Sequence, residues 1–325
     1  MSDEISRLCN VGIKLGGTSY GALPTSYSRG LLVKSFDANP GSEVAPVPEV
    51  RGKLATMRVT IPPVSYAPKL NFALDVGDPL SAGIGDFLAS VYGKETGTKD
   101  GSNYKHKFQL KNTGQPPWLN IWSDKDAVPK QVVGFRVGSL KMVIDAKQGL
   151  IPVDVTGMAK DESNLASQSL AFSDEALLTP HMATILKLGG ASVETFESIE
   201  LTLIREQEGL NFVGSSRTIG DAVSGKSFAF EIVLNGLNFA DETERAKFKA
   251  VGTSSFELKL IDPAGNYLHC VAPQINYKSF EGPGINDADL LRLSIAAFVT
   301  GDEANHYIEL QNLYTRTYDT DTLIS

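Results

Sequence analysis

Cysteine, histidine and long apolar runs are all scarce in this 325-residue chain, and each shortage excludes something. Two cysteines, Cys9 and Cys270, are too few and too widely spaced for a disulfide framework and read as unpaired thiols. Four histidines, His106, His181, His269 and His306, show none of the close pairing of a zinc site. His269 and Cys270 are neighbours, and on a strand they point to opposite faces, so they cannot chelate one ion together. No cofactor or metal is indicated. No apolar run approaches the roughly 20 residues that cross a bilayer. The opening Met1-Ser2-Asp3-Glu4-Ile5 is acidic and lacks the apolar core of a secretory leader, which points to synthesis in a cytoplasm. A basic excess is missing too: the net charge is −8, against a tight grip on nucleic acid.

Period-two alternation is abundant. Leu70, Phe72, Leu74 and Val76 alternate with Asn71, Ala73 and Asp75, and Phe228, Phe230, Ile232 and Leu234 alternate with Ala229, Glu231 and Val233. Ile199–Leu203 and Phe256–Leu260 read the same way. Such strands bury one face and wet the other, as in antiparallel sheets. Only two segments carry helical stripes. Ser81–Tyr92 places Ile84, Phe87, Leu88 and Val91 on one face before Gly93, and Asp241–Val251 turns Phe248 and Val251 inward before Gly252. Each helix follows an alternating strand, which suggests an internal repeat. Lys69–Leu74 aligns with Lys226–Glu231, Leu31–Phe36 with Ile199–Ile204, and Ile151–Met158 with Leu291–Phe298. The expected fold is mainly β: two tandem β-sandwich or barrel units, each with one packed helix, plus terminal arms. The boundaries are an N-terminal arm at 1–28, a first unit at 29–165, a linker at 166–187, a second unit at 188–304 and a C-terminal arm at 305–325.

Two motif matches fail on context. Gly220-Asp221-Ala222-Val223-Ser224-Gly225-Lys226-Ser227 spells a Walker A loop. That chemistry needs a buried strand before it and a helix N-terminus after it. Here polar, turn-like residues precede and an alternating strand follows, so a loop between antiparallel strands is expected. Gly17-Thr18-Ser19-Tyr20-Gly21 matches a nucleophile elbow, but position 19 leaves no room for the earlier strands of the required sheet, and Pro24 opposes the following helix. Trp118 and Trp122 beside Pro116-Pro117 either plug a core edge or interface, or form a sugar-stacking platform with Tyr104.

Gly16-Gly17-Thr18-Ser19-Tyr20-Gly21, Glu49-Val50-Arg51-Gly52-Lys53-Leu54, Tyr104-Lys105-His106-Lys107-Phe108 before a Trp-bearing strand, and Val133–Met142 with its glycine, variable residue, serine-leucine run occur in that order. In this the chain resembles the tail tube proteins of long-tailed bacteriophages. The resemblance implies a structural, non-enzymatic virion protein: a β-sandwich or barrel unit with a packed helix, joined edge to edge into rings that stack as a hollow tube for DNA. Ring closure would pair the exposed edges of open sheets. With two units per chain, rings of three copies are expected ahead of six. If each unit lends four strands, about 24 strands at ~4.8 Å and with tilt enclose a backbone diameter near ~50 Å. A bore of roughly 35–40 Å admits a duplex about 20 Å wide.

Several expectations follow from that resemblance. Ring-to-ring contacts are expected from the long loops: Asp37, Asn39, Glu43, Glu49 and Arg51 in the first unit, and Arg205, Glu206, Glu208, Arg217, Asp221 and Lys226 in the second. Tyr20, Tyr27, Tyr307 and Tyr314 are the candidate arm contacts. The bore is expected to be net negative, with Asp75, Asp154, Glu231 and Glu257 as candidate lining residues. Expected partners are the chain itself, a tape-measure protein, a tail terminator, baseplate or tail-tip proteins, and double-stranded DNA in unspecific transit. Assembly is expected in the host cytoplasm and residence in the virion tail. The competing reading is an adhesin-like, carbohydrate-binding β-sandwich using Trp118 and Trp122. A third reading, an enzyme, would require the Walker or the elbow match to be real.

Overall fold

A computed structural model describes residues 9–17, 19–38, 40–41, 45–46, 59–60, 64–111, 113–124, 128–172, 177–193, 196–210, 220–237, 242–281, 292–300 and 306–324. The fold is mainly β. In the first half the strands are β1 (Cys9–Leu15), β2 (Gly30–Asp37), β3 (Pro40–Gly41), β4 (Ala45–Pro46), β5 (Val59–Thr60), β6 (Ser65–Tyr66) and β7 (Lys69–Ala73). After helix α1 (Ile84–Tyr92) come β8 (Gly93–Asp100), β9 (Asn103–Leu110), β10 (Leu119–Ser123), β11 (Lys130–Asp145), β12 (Pro152–Met158) and β13 (Asp161–Asn164). The second half holds β14 (Ala183–Leu188), β15 (Ala191–Ser192), β16 (Phe196–Leu210), β17 (Asp221–Leu237), helix α2 (Glu242–Lys249), β18 (Thr253–Ile261), β19 (Tyr267–Glu281), β20 (Arg292–Val299) and β21 (Tyr307–Asn312).

The first half closes into an antiparallel barrel in the order β1-β2-β7-β12-β11-β10 and back to β1. The second half repeats the order as an open run, β16-β17-β20-β19-β18-β14, in which β14 pairs with β18 and β15 but shows no ladder to β16 among the described residues. Here β15 turns back from β14 towards β16, and the Val193 amide donates to the Leu186 carbonyl at 3.0 Å. Irregularities in the ladders repeat as well. The register shifts at Val33/Ser35 in β2–β7 and at Phe196/Ser198 in β16–β17. It shifts at Leu119/Ile121 in β10–β11 and Ser254/Phe256 in β18–β19, and at Val137/Ser139 in β11–β12 and Tyr277/Ser279 in β19–β20. Each bulge adds one unpaired residue and bends its strand. Three bulges at matching places make Val33 the counterpart of Phe196, Leu70 of Leu234, Ser139 of Ser279 and Val155 of Ile295.

That mapping keeps the alignment of Ile151–Met158 with Leu291–Phe298 and overturns the other two. Lys69–Leu74 does not match Lys226–Glu231, and Leu31–Phe36 does not match Ile199–Ile204. The reason lies in the hairpin: β16 and β17 run on past the barrel as one paired arm, Gln207 opposite Ser224 and Leu210 opposite Asp221. Lys226 therefore stands in this extension rather than at the head of the barrel strand. In the first half β3–β6 continues the sheet at the place of Leu203 and Phe230, and the equivalent extension is the short pair β4–β5.

Helix α1 begins at Ile84 rather than Ser81, because Asp78 Oδ1 accepts the Leu80 and Ser81 amides at 2.7 Å and holds that stretch in a turn. Gly93 ends it with φ 81°, and its amide donates to the Ala89 carbonyl. All nine helix residues are buried. Phe248 of α2 packs inward on Phe280, with ring centroids 5.9 Å apart. Val251 does not turn inward: it sits past the helix end at φ 54° and is 83% exposed. Asp241, the expected cap, lies outside the described residues. Parts of both segments expected as arms are strands here, β1 between β10 and β2, and β21 between β19 and β9.

Candidate assembly surfaces

The two units are spliced through one ladder. The C-terminal half of β11 pairs with β12 on one side and with β16 on the other, Ser139 opposite Ile204 through Asp145 opposite Ser198. One antiparallel sheet thus runs β2-β7-β12-β11-β16-β17-β20-β19 through both units. Its inner face is apolar and buried: Leu70, Phe72, Val153, Val155, Leu140, Met142, Leu201, Leu203, Ile232, Leu234 and Ile295 all join the core. The splice itself is dry, with Leu140 opposite Leu203 and Met142 opposite Leu201, each fully buried. Strict alternation then turns every intervening residue to the other face.

That open face is polar. Asn71 Nδ2 donates to Asp154 Oδ1 at 2.6 Å, Lys141 Nζ lies 2.8 Å from Glu200 Oε1 across the splice, and Lys278 Nζ lies 3.7 Å from Glu231 Oε1. Ser294 Oγ donates to Asn235 Oδ1 at 2.7 Å. Asp37 stands opposite Lys69, and Glu281 opposite Ser294. Among the described side chains of this face, the carboxylates of Asp37, Asp145, Asp154, Glu200, Glu231 and Glu281 outnumber the ammonium groups of Lys34, Lys69, Lys141 and Lys278, so it is acidic on balance. Asp154 and Glu231 belong to it. Asp75 does not, being buried with Oδ1 accepting the Gly77 amide at 2.7 Å; burial pushes its carboxyl up to about 6. Glu257 lies on β18, which pairs with the N-terminal part of β19 beyond the eight-strand run, and its hydrogen bond from Lys187 holds its carboxyl below the usual value.

The expected loop residues divide sharply. Asn39, Glu43, Glu49, Arg51 and Arg217 fall outside the described residues. Arg205 is buried, and its Nη1 donates to the Val91 and Tyr92 carbonyls at 2.6 and 3.3 Å, closing the C-terminus of α1. Glu206 and Glu208 are exposed on the hairpin arm. Asp221 Oδ1 lies 3.4 Å from Arg136 Nη1. The Walker-like residues do not form the expected loop: Asp221–Ser227 is the first stretch of β17. Gln115 pins it, accepting from the Ser224 amide at 2.8 Å and donating to the Ser224 carbonyl at 3.3 Å, while Arg136 Nη1 donates to the Ala222 carbonyl. An extended strand in a ladder offers no amide nest for phosphate. Sequence reasoning missed this anchor because Gln115 and Arg136 lie far from the arm in the chain.

The aromatic candidates pack inside. Trp118 and Trp122 are 7% and 2% exposed, so neither presents a face for a sugar, and the carbohydrate platform is overturned. Trp118 instead covers Gly16, whose amide donates to its carbonyl at 2.7 Å, and meets Tyr20 edge-on at 5.6 Å. Tyr20 donates to the Gly134 carbonyl at 2.8 Å, Tyr27 is buried and donates to Gln131 Oε1 at 3.2 Å, and Lys107 caps the Tyr307 ring at 4.0 Å. Tyr314 is buried under Arg29, whose guanidinium lies 4.3 Å from its ring centre. All four tyrosines thus engage their own chain. Ser19 of the elbow spelling sits in a turn whose carbonyl accepts the Ala22 amide, with no strand or helix beside it. No group of three or more metal-ligating side chains occurs among the described residues.

A family model described as phage tail tube protein matches residues 18–299, across both units and the splice between them. The chain belongs to the phage tail tube protein family. It is a structural component of the phage tail. A search of curated proteins found no match. No helix among the described residues of this tail tube protein is long and apolar enough to cross a membrane.

Proposed function

We propose that this tail tube protein assembles into rings of three chains, that the rings stack into the hollow tail tube, and that phage DNA passes through it. The observation that carries this is the single curved sheet of eight strands spanning both units, dry on one face and acidic on the other. Three copies would close about 24 strands around a bore of roughly 35–40 Å, wide enough for a duplex. The acidic face would line it, because a basic lining would hold phosphate by counterion release and slow transit. The chain performs no catalysis in this role.

Stacking would use the paired arms beyond the sheet: β4–β5 in the first unit, and Glu206–Leu210 with Asp221–Ser227 in the second. Expected partners in the tail are a tape-measure protein, a terminator and baseplate or tail-tip proteins, with assembly in the host cytoplasm. Negative-stain electron microscopy over rising concentration, with mass measurement on the same sample, tests the reading. Rings or tubes with a three-chain repeat support it. A six-chain repeat overturns the trimer, and a monomer at every concentration overturns unaided assembly. Charge reversals at Glu206 and Glu208 that leave stacking untouched would remove the second arm from the ring-to-ring contact.

A further inference from the structure

The splice between the two units of one chain is also a template for the contact between chains. Within the chain, β11 outlasts its neighbour β10, and the edge exposed beyond it is taken by β16. In the second unit β19 outlasts β18 in the same way: β18 pairs only as far as Asn276, while β19 continues to Glu281. The counterpart of β16 in the first unit is the edge formed by β2 and β3, since Pro40 faces Tyr66 as Leu203 faces Phe230. The chain therefore ends in two complementary half-seams, and no described strand covers the β18 side of Ser279–Glu281.

We infer that Ser279–Glu281 of one copy pairs antiparallel with the β2–β3 edge of the next, in the register that β11 and β16 already use. Ser139 faces Ile204 and Leu140 faces Leu203 in that internal ladder. Transferred by the repeat, Ser279 stands opposite Gly41 of the neighbouring copy and Phe280 opposite Pro40. Burial supports the transfer. Leu140 is fully buried at the internal splice, whereas its counterpart Phe280 is only partly buried in the single chain and gains its cover from the neighbour. The two half-seams are different surfaces, so the contact is head-to-tail and its rotation closes a ring instead of pairing two copies face to face. This assignment rests on the ring reading above and specifies which strands form the joint.

The test is the full chain carrying Gly41→Cys with Ser279→Cys, oxidised after assembly and run on a non-reducing gel beside electron micrographs of the same sample. Directly opposed residues on antiparallel strands bring their Cβ atoms within about 5 Å, inside disulfide reach. The expected result is a covalent ladder ending at the trimer, absent from either single variant. It should also be absent from Ser35→Cys with Ser279→Cys, about six residues or ~20 Å out of register. Rings on the grid with only monomer on the gel would overturn the seam and leave ring assembly standing. Equal ladders from both pairs would overturn the register. Monomer on both grid and gel would overturn the seam together with unaided assembly, and a disulfide to a different tail protein would reassign the edge.

Discussion

Gly16 shows how a single side chain's absence holds a segment in place. A Cβ built there would lie 2.2 Å from Trp118 Cδ2, so the ring can cover the backbone only if the residue is glycine. Gly16→Ala forces the indole or β1 to move, and urea unfolding should report a loss of about 1–3 kcal/mol, the usual cost of overpacking a tight site. Asp75 makes a prediction about pH. Burial is the main cause of its raised folded value, about 6, and the Gly77 amide pulls the other way. A carboxyl with a raised folded value favours the fold while protonated, so its contribution is present below the unfolded value near 4 and is lost as pH rises through about 6. Asp75→Asn, which keeps an acceptor for Gly77, should therefore stabilise the protein at pH 7 by roughly 1 kcal/mol and give no gain at pH 4. Unfolding midpoints of the two proteins at both pH values check the sign.

At the scale of elements, the C-terminal segment acts as a clasp. Asn312 Nδ2 donates to the Val76 carbonyl at 2.7 Å and to Tyr318 Oη at 2.9 Å. His106 is buried between Glu95 Oε1 at 2.7 Å and the Tyr314 carbonyl at 3.0 Å, while Glu95 Oε2 accepts the Tyr318 and Asp319 amides. Burial raises the Glu95 carboxyl, and the hydrogen bond from His106 offsets part of the rise. The segment after β21 is thereby tied to β8 and β9, the hairpin that the first unit has and the second lacks. Removing residues 313–325 deletes the buried Tyr314 and Tyr318, exposes the groups they cover and leaves Glu95 with fewer donors. Denaturant unfolding of the truncated monomer should show a loss of about 3–5 kcal/mol, the scale of two buried aromatic side chains lost.

For the molecule as a whole, the proposed role joins stability to passage through one sheet: its dry face makes the cores of both units, and its acidic face is the one we propose lines the bore. Asp154→Lys with Glu231→Lys reverses two charges on that face without touching the core. Tubes of this variant should retain double-stranded DNA at ~50 mM salt and release it as salt rises to ~200 mM, as counterion-release binding does. Wild-type tubes should retain none at either concentration. A filter-retention assay on assembled tubes separates the two, and equal retention would remove this face from the bore.

The β character, the two helices, the polar and apolar faces of Ile199–Leu203, Phe228–Leu234 and Phe256–Leu260 and the repeat of Ile151–Met158 in Leu291–Phe298 were legible in the sequence, because alternation and helical stripes are local. The sequence order around Gly16–Gly21 and Val133–Met142 was enough to suggest the family. Register was not legible. Bulges at Val33/Ser35 and Phe196/Ser198 shift the pairing by one residue, and nothing in a single strand announces where its partner slips. The paired arm of β16 and β17 read as a loop because its polar residues alternate weakly and its anchors, Gln115 and Arg136, come from another part of the chain. Trp118 and Trp122 fit the core-plug reading and not the sugar platform; the sequence carried both, because composition cannot tell which side of a strand is covered. Residue chemistry along the chain determined which segments became strands and which faces stayed dry. Only the tertiary structure decided which edges meet, because edge pairing is a property of two distant segments at once.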